Sequence, residues 1–176
     1  SLAGVGVAFK LAWAVAQKLN NSEKVSEEMR GFLLSSLAFV ALGTIADVVP
    51  LLGENRIFAH FGLKYLAETI NPGLRALIDV SNLSGSRLEA RDIAYRMGPR
   101  LNASGRMGKS ALGIELLVTP NTQRAGEVAG LIDSENTRRQ DVERKILEEA
   151  YELLRREVNL DRDGAIVLAS ENWHLG

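Results

Sequence analysis

The sequence predicts a mainly α-helical chain that closes on the first β-strand of a further domain. Three observations carry that expectation. Apolar residues recur at helical spacing through most of the chain before Gly98. From 122 to 158 there is no proline, and glycine occurs only at 126 and 130, so the stretch reads as one long helix. At about 1.5 Å per residue it would span on the order of 55 Å. After Asp163-Gly164, "AIVLAS" has the character of a strand.

Taken in order, Val5 to Lys18 carries Val5, Phe9, Ala12, Trp13 and Ala16 at the spacing of a buried amphipathic helix. "NNSEKVSEE" is a polar loop, and Ser26 before Glu27 and Glu28 is a helix start. The helix from Glu27 to Leu42 is apolar around most of its circumference, which makes it central; Gly43 and Pro50 punctuate its end. Another helix is expected over Glu54 to Ile70. A short one follows "NPG" from Leu74 to Val80, "SNLSGSR" is a loop, and Leu88 to Met97 is again helical. In "GPRLNASGRMGKS", residues 98–110, three glycines and a proline interrupt regular structure, so a loop is expected. The long helix is apolar at 128, 131 and 132 and again at 142, 146, 150, 153 and 154, around a polar "DSENTRRQD". A helix with sticky ends and a solvated middle bridges two domains. No internal repeat or low-complexity segment interrupts this order.

The totals exclude several classes. With 176 residues, 46% hydrophobic and 24% charged, the chain suits a soluble globular protein with room for one good core. The absence of cysteine removes disulfides and thiolate metal sites and suits a reducing cytoplasm. Two histidines, His60 and His174, are too few for a self-contained zinc site. The apolar runs fall short of a membrane span, and no basic leader precedes the first of them. An abrupt apolar start at Ser1, without methionine, and an end inside a turn suggest an internal piece of a longer protein. The net charge of −1 hides a local imbalance: Arg87 to Ser110 holds six basic residues against two acidic, a surplus of four.

Two segments carry candidate chemistry. In "ALGTIADVVPLLGENR", residues 41–56, Asp47 stands alone in an apolar run that reads as interior. A buried carboxylate needs hydrogen bonds, a cation or a metal. It is a helix-end cap or a salt-bridge partner of Arg56, or it is a ligand for a hard divalent cation. One carboxylate is no metal site, so a metal role requires further ligands upstream of Ser1. "GPRLNASGRMG" is either a surface loop with solvated arginines or a phosphate grip. In the second case glycines let backbone N–H groups approach the anion, Arg100 and Arg106 supply charge-assisted bonds, and Asn102 and Ser104 add neutral donors. It matches no P-loop. His60 on an apolar face reads as a packing or surface residue, and Trp13 and the phenylalanines read as core.

Together "LAGVGVAFKLAWA", "ALGTIADVVPLLGENR", "PGLRALIDV", "GPRLNASGRMG" with "ALGIELLV", and "ENWHLG" resemble the RecJ family within the DHH phosphoesterase superfamily, in order and spacing over nearly the whole chain. The resemblance implies that residues 1–121 are the C-terminal helical part of an α/β DHH phosphoesterase domain. It makes 122–158 the connector helix and 159–176 the truncated start of the associated domain. It makes Asp47 a ligand of a divalent metal, Mn²⁺ or Mg²⁺. It makes Arg100, Asn102, Ser104 and Arg106 contacts to DNA phosphate. The implied parent is a cytoplasmic exonuclease acting on single-stranded DNA in the 5′-to-3′ direction, in repair and recombination. No complete catalytic centre is present, because the Asp-His-His signature is absent. Leu175 stands where the family usually has proline, which leaves His174 without a transferable role. Two other readings keep part of the pattern: a non-catalytic helical module that binds nucleic acid or a partner, and a small-nucleotide phosphodiesterase of the same superfamily.

Overall fold

The structure, a computed structural model, describes residues 2–106, 110–158 and 164–173. Its elements are α1 (Gly4–Leu19), α2 (Glu27–Ala46), α3 (Gly53–Ala67), α4 (Pro72–Val80), α5 (Ala90–Asp92), α6 (Gly98–Arg106), α7 (Ser110–Val118) and α8 (Thr122–Glu157). A π-helical turn, Ile93–Met97, joins α5 to α6 without a break. Several helix starts follow from single side chains. Ser26 Oγ accepts from the Met29 N–H at 3.3 Å, Asn71 Oδ1 from Leu74 at 2.9 Å and Asn121 Oδ1 from Arg124 at 2.9 Å. Each such cap contributes about 1 kcal/mol.

Two apolar clusters hold the helices together. The larger buries Ala41, Leu66, Leu74, Leu77, Ile93, Met97, Leu116 and Ile132, and so joins α2, α3, α4, α7 and α8 with the 90–106 helix. The smaller sets Phe9 and Ala16 of α1 against Leu33, Leu37 and Val40 of α2 and Phe58 of α3. Burying each leucine or phenylalanine contributes roughly 1.5–3 kcal/mol. Helix α2 enters both clusters, which is the central role its apolar circumference predicts. By length and composition α2 is also apolar enough to cross a membrane, and 44% of that window is buried in the fold.

Three expectations are corrected. Helix α2 does not stop at Gly43 but runs on to Ala46. The glycine is there for contact rather than termination, since a Cβ at 43 would meet Val5 Cγ1 at 2.8 Å. The 98–106 stretch is helical rather than a loop. Pro99 has no N–H to give the helical ladder, and the turn before it widens so that the Gly98 N–H bonds the Ile93 carbonyl. Ala103 and Ser104 then face the interior, and Ser104 Oγ is satisfied by donating to the Leu101 carbonyl at 2.7 Å. Finally, residues 166–170 form no strand: no strand occurs among the described residues, and a strand needs a second backbone to complete its ladder.

The long helix is present as expected, but its middle is not solvated all round. Glu135 and Asn136 are buried against the fold, and Arg139 donates to Asn136 Oδ1 at 3.2 Å. Beyond that point Leu147 and Tyr151 are exposed. The turn at 170–173 docks on this outer half: Glu149 accepts from Ser170 Oγ and from Trp173 Nε1, both at 2.9 Å.

Candidate metal and phosphate site

Asp47 is exposed, which corrects the expectation of a buried carboxylate. The apolar run around it belongs to the last turns of α2, and Asp47 is the C-cap residue where that helix leaves the core. Its carboxylate makes no hydrogen bond or ion pair with any described residue, and Arg56 is likewise unpaired with it. The capping is done by backbone: the Asp47 N–H donates to the Gly43 carbonyl at 3.0 Å.

The chain around Asp47 is tightly fixed. Val48 takes a left-handed backbone, φ 55, so that its N–H reaches the Ile45 carbonyl at 3.1 Å and the Val49 N–H reaches Thr44 at 3.3 Å. Together these two bonds make a Schellman termination. Asn55 Nδ2 then donates to the Pro50 carbonyl at 3.1 Å, and Gly53, φ 51, opens α3. One turn before Asp47, the fully buried Thr44 Oγ1 has no hydrogen-bond partner among the described residues.

The two candidate segments meet. A Cβ on Gly98 would stand 3.2 Å from Ala46 Cβ, so the end of α2 lies directly against the start of α6. Sequence reasoning named both segments but gave no signal of this contact; Asn55, which holds the loop between them and α3, was not singled out at all. Within α6 the four candidate phosphate contacts separate. Asn102 is exposed on a groove of about 530 Å³ shared with Leu101, Gly105, Gly113 and Ile114. Ser104 is 2% exposed and already donates to Leu101, so only part of its hydroxyl is available. Arg100 is held in place: Nε donates to Asp133 Oδ1 of α8 at 2.8 Å and Nη1 to the Arg96 carbonyl at 2.8 Å. The Arg106 side chain lies outside the described residues, as does His174. His60 is an exposed residue of α3, set edge-on to Phe61 at 5.1 Å, which fits a surface role. Trp13 is 43% exposed and touches Phe9, so it is only partly core.

No group of three or more His, Asp or Glu that could hold a metal ion occurs among the described residues. Asp47 therefore fits a hard divalent cation as one oxygen donor and no more.

No family model matches the chain. Curated relatives do. The chain is 38% identical over 184 residues to the single-stranded-DNA-specific exonuclease RecJ of Dickeya dadantii, covering 100% of this chain and 31% of that protein. It is 38% identical over 175 residues to the protein of the same name from Bacillus subtilis, covering 99% of this chain and 20% of the relative. Among solved structures, RecJ of Thermus thermophilus in complex with Mn²⁺ superposes with a TM-score of 0.80 at 32% identity, over 97% of this chain and 24% of that one. The chain belongs to the RecJ family. It spans about a third or less of the length of these curated relatives. A second structure, exonuclease RecJ bound to manganese, matches 97% of this chain and 40% of its own with a TM-score of 0.77. The mainly helical architecture is thus that of part of a RecJ protein.

Proposed function

We propose that the chain is the helical part of a metal-dependent exonuclease that removes nucleotides from single-stranded DNA in the 5′-to-3′ direction. On this reading residues 1–121 complete a DHH phosphoesterase domain, 122–158 connect, and 159–176 begin the associated domain. The setting is cytoplasmic DNA repair and recombination. The observation that carries the proposal is the corner at Asp47: an exposed carboxylate without an ion pair to any described residue, on a fixed helix end directly against the basic α6 segment. The relatives' names, and the Mg²⁺ and Mn²⁺ complexes of RecJ from Thermus thermophilus, support the same reading.

Asp47 would supply one ligand to a divalent ion, Mn²⁺ or Mg²⁺, whose other ligands come from elsewhere in the protein. Such an ion activates water and offsets charge on the phosphodiester. This chain's own part is to carry that carboxylate on a fixed backbone and to set the strand's register with Arg100, Asn102, Ser104 and Arg106. Phosphate contacts of this kind carry no sequence information and make affinity fall with salt. The test is Asp47→Ala in the full-length protein. Metal-dependent cleavage of single-stranded DNA should be lost while thermal stability stays within about 0.5 kcal/mol, because an exposed, unpaired side chain is removed. Retained cleavage together with a loss of about 1 kcal/mol would make Asp47 a helix cap and end the proposal.

A further inference from the structure

Two nitrogens of the Arg100 guanidinium are already tied within the fold. Nε donates to Asp133 Oδ1 and Nη1 to the Arg96 carbonyl, each at 2.8 Å, and the side chain is only 16% exposed. The Arg96 carbonyl belongs to the widened π-helical turn, and Asp133 belongs to α8, an element far along the chain. Nη2 makes no hydrogen bond with any described residue. A planar guanidinium held by two bonds has a single orientation, which leaves the Nη2 group as the one able to receive an anion.

We propose that Asp133 is a positioning residue: it holds Arg100 from the connector helix so that the free Nη2 edge receives a phosphate of single-stranded DNA. The inference rests on the phosphate reading of α6 and adds an element that reading lacks, a link between the strand grip and α8. Without Asp133, the arginine has to be ordered anew each time it binds. Freezing one long side chain accounts for roughly a two- to tenfold loss of affinity. Charge alone predicts the opposite effect, because Asp133 opposes an anionic ligand. The sign of the change therefore discriminates.

The experiment measures binding of a single-stranded oligothymidylate to the full-length protein over a range of salt concentrations. Arg100→Ala should weaken binding and reduce the slope of log affinity against log salt by about 0.7, the share of one phosphate contact on a single strand. Asp133→Ala should weaken binding roughly two- to tenfold, Asp133→Asn should restore most of it by keeping an acceptor for Nε, and Asp133→Ala should add nothing in the Arg100→Ala background. Tighter binding by Asp133→Ala, or an undiminished effect in the Arg100→Ala background, would overturn the positioning role while leaving the phosphate grip standing. An Arg100→Ala protein with parental affinity and slope would instead remove the phosphate role of Arg100, and the inference with it. Should Asp133→Ala fail to fold, Asp133→Asn against Arg100→Lys decides. Arg100→Lys keeps the charge but loses the fork, so it should bind less well than Asp133→Asn.

Discussion

Replacing Val48 with asparagine should stabilise the protein, although it exchanges an apolar residue for a polar one. Three helices among those described end in Schellman motifs. At the left-handed position α1 uses Asn21, φ 46, and α4 uses Asn82, φ 54, but α2 uses Val48, φ 55. For an L-residue the left-handed conformation costs roughly 1–2 kcal/mol; asparagine tolerates it better, and a β-branched residue worst of all. Val48 is 85% exposed, so almost no burial is lost on substitution. Val48→Asn should therefore gain about 1 kcal/mol, which for a chain of this size raises Tm by about 2–4 °C. Thermal melting followed by circular dichroism checks it, with Asn82→Val as the reciprocal variant expected to lose a similar amount. If Val48→Asn melts at or below the parent temperature while Asn82→Val is unaffected, the left-handed positions carry no strain and the argument fails.

Two further substitutions test how the fold holds its site. Gly73→Ala should cost about 3 kcal/mol or more in a denaturant titration, because its Cβ would overlap the Leu116 carbonyl between α4 and α7, whereas Gly126→Ala on the open face of α8 should gain about 1 kcal/mol. In a Trp13→Phe background, Glu149→Ala should free the indole of Trp173 and shift its fluorescence to longer wavelength, since that carboxylate is the partner of both Ser170 and Trp173; an unchanged spectrum would mean that the turn is held by other contacts.

The helices were legible where the apolar period was strong and a cap was present. Ser26 marks a helix start that a side-chain bond bears out, while Asn71 and Asn121, not singled out in the sequence, cap α4 and α8 in the same way. The long α8 followed from the near absence of breakers. What misled were glycines and prolines read as punctuation. Gly43 lies inside α2 because Val5 packs on it, and Pro99 lies inside a continuous helix because the turn before it widens. Both are consequences of tertiary contact, to which local propensity is blind. The same holds for the site. Asp47 and the 98–106 segment were both singled out, but the sequence could not tell that Ala46 rests on Gly98, or that Arg100 is committed to Asp133. The strand character of "AIVLAS" is real in composition, yet a strand exists only when another backbone pairs with it.

The burial of Asp47 was the wrong question; the informative feature is what surrounds it. On one side Thr44 keeps a hydroxyl fully buried without a partner among the described residues, a loss of about 1–3 kcal/mol. On the other, Val48 holds a backbone conformation that asparagine would hold more cheaply. Two departures from the locally best choice, within five residues of a carboxylate that makes no hydrogen bond or ion pair with the described residues, are hard to explain by stability. Departures of this kind concentrate where a side chain has to be presented in one direction to something outside the fold. The tight loop from Val48 to Asn55, closed by the Asn55 bond to Pro50, fixes that direction. The Ala46 contact with Gly98 then sets the end of α2 beside the basic helix. On the proposed reading, an exposed acid carried by so fixed a helix end would meet a cation held mainly by residues outside this chain.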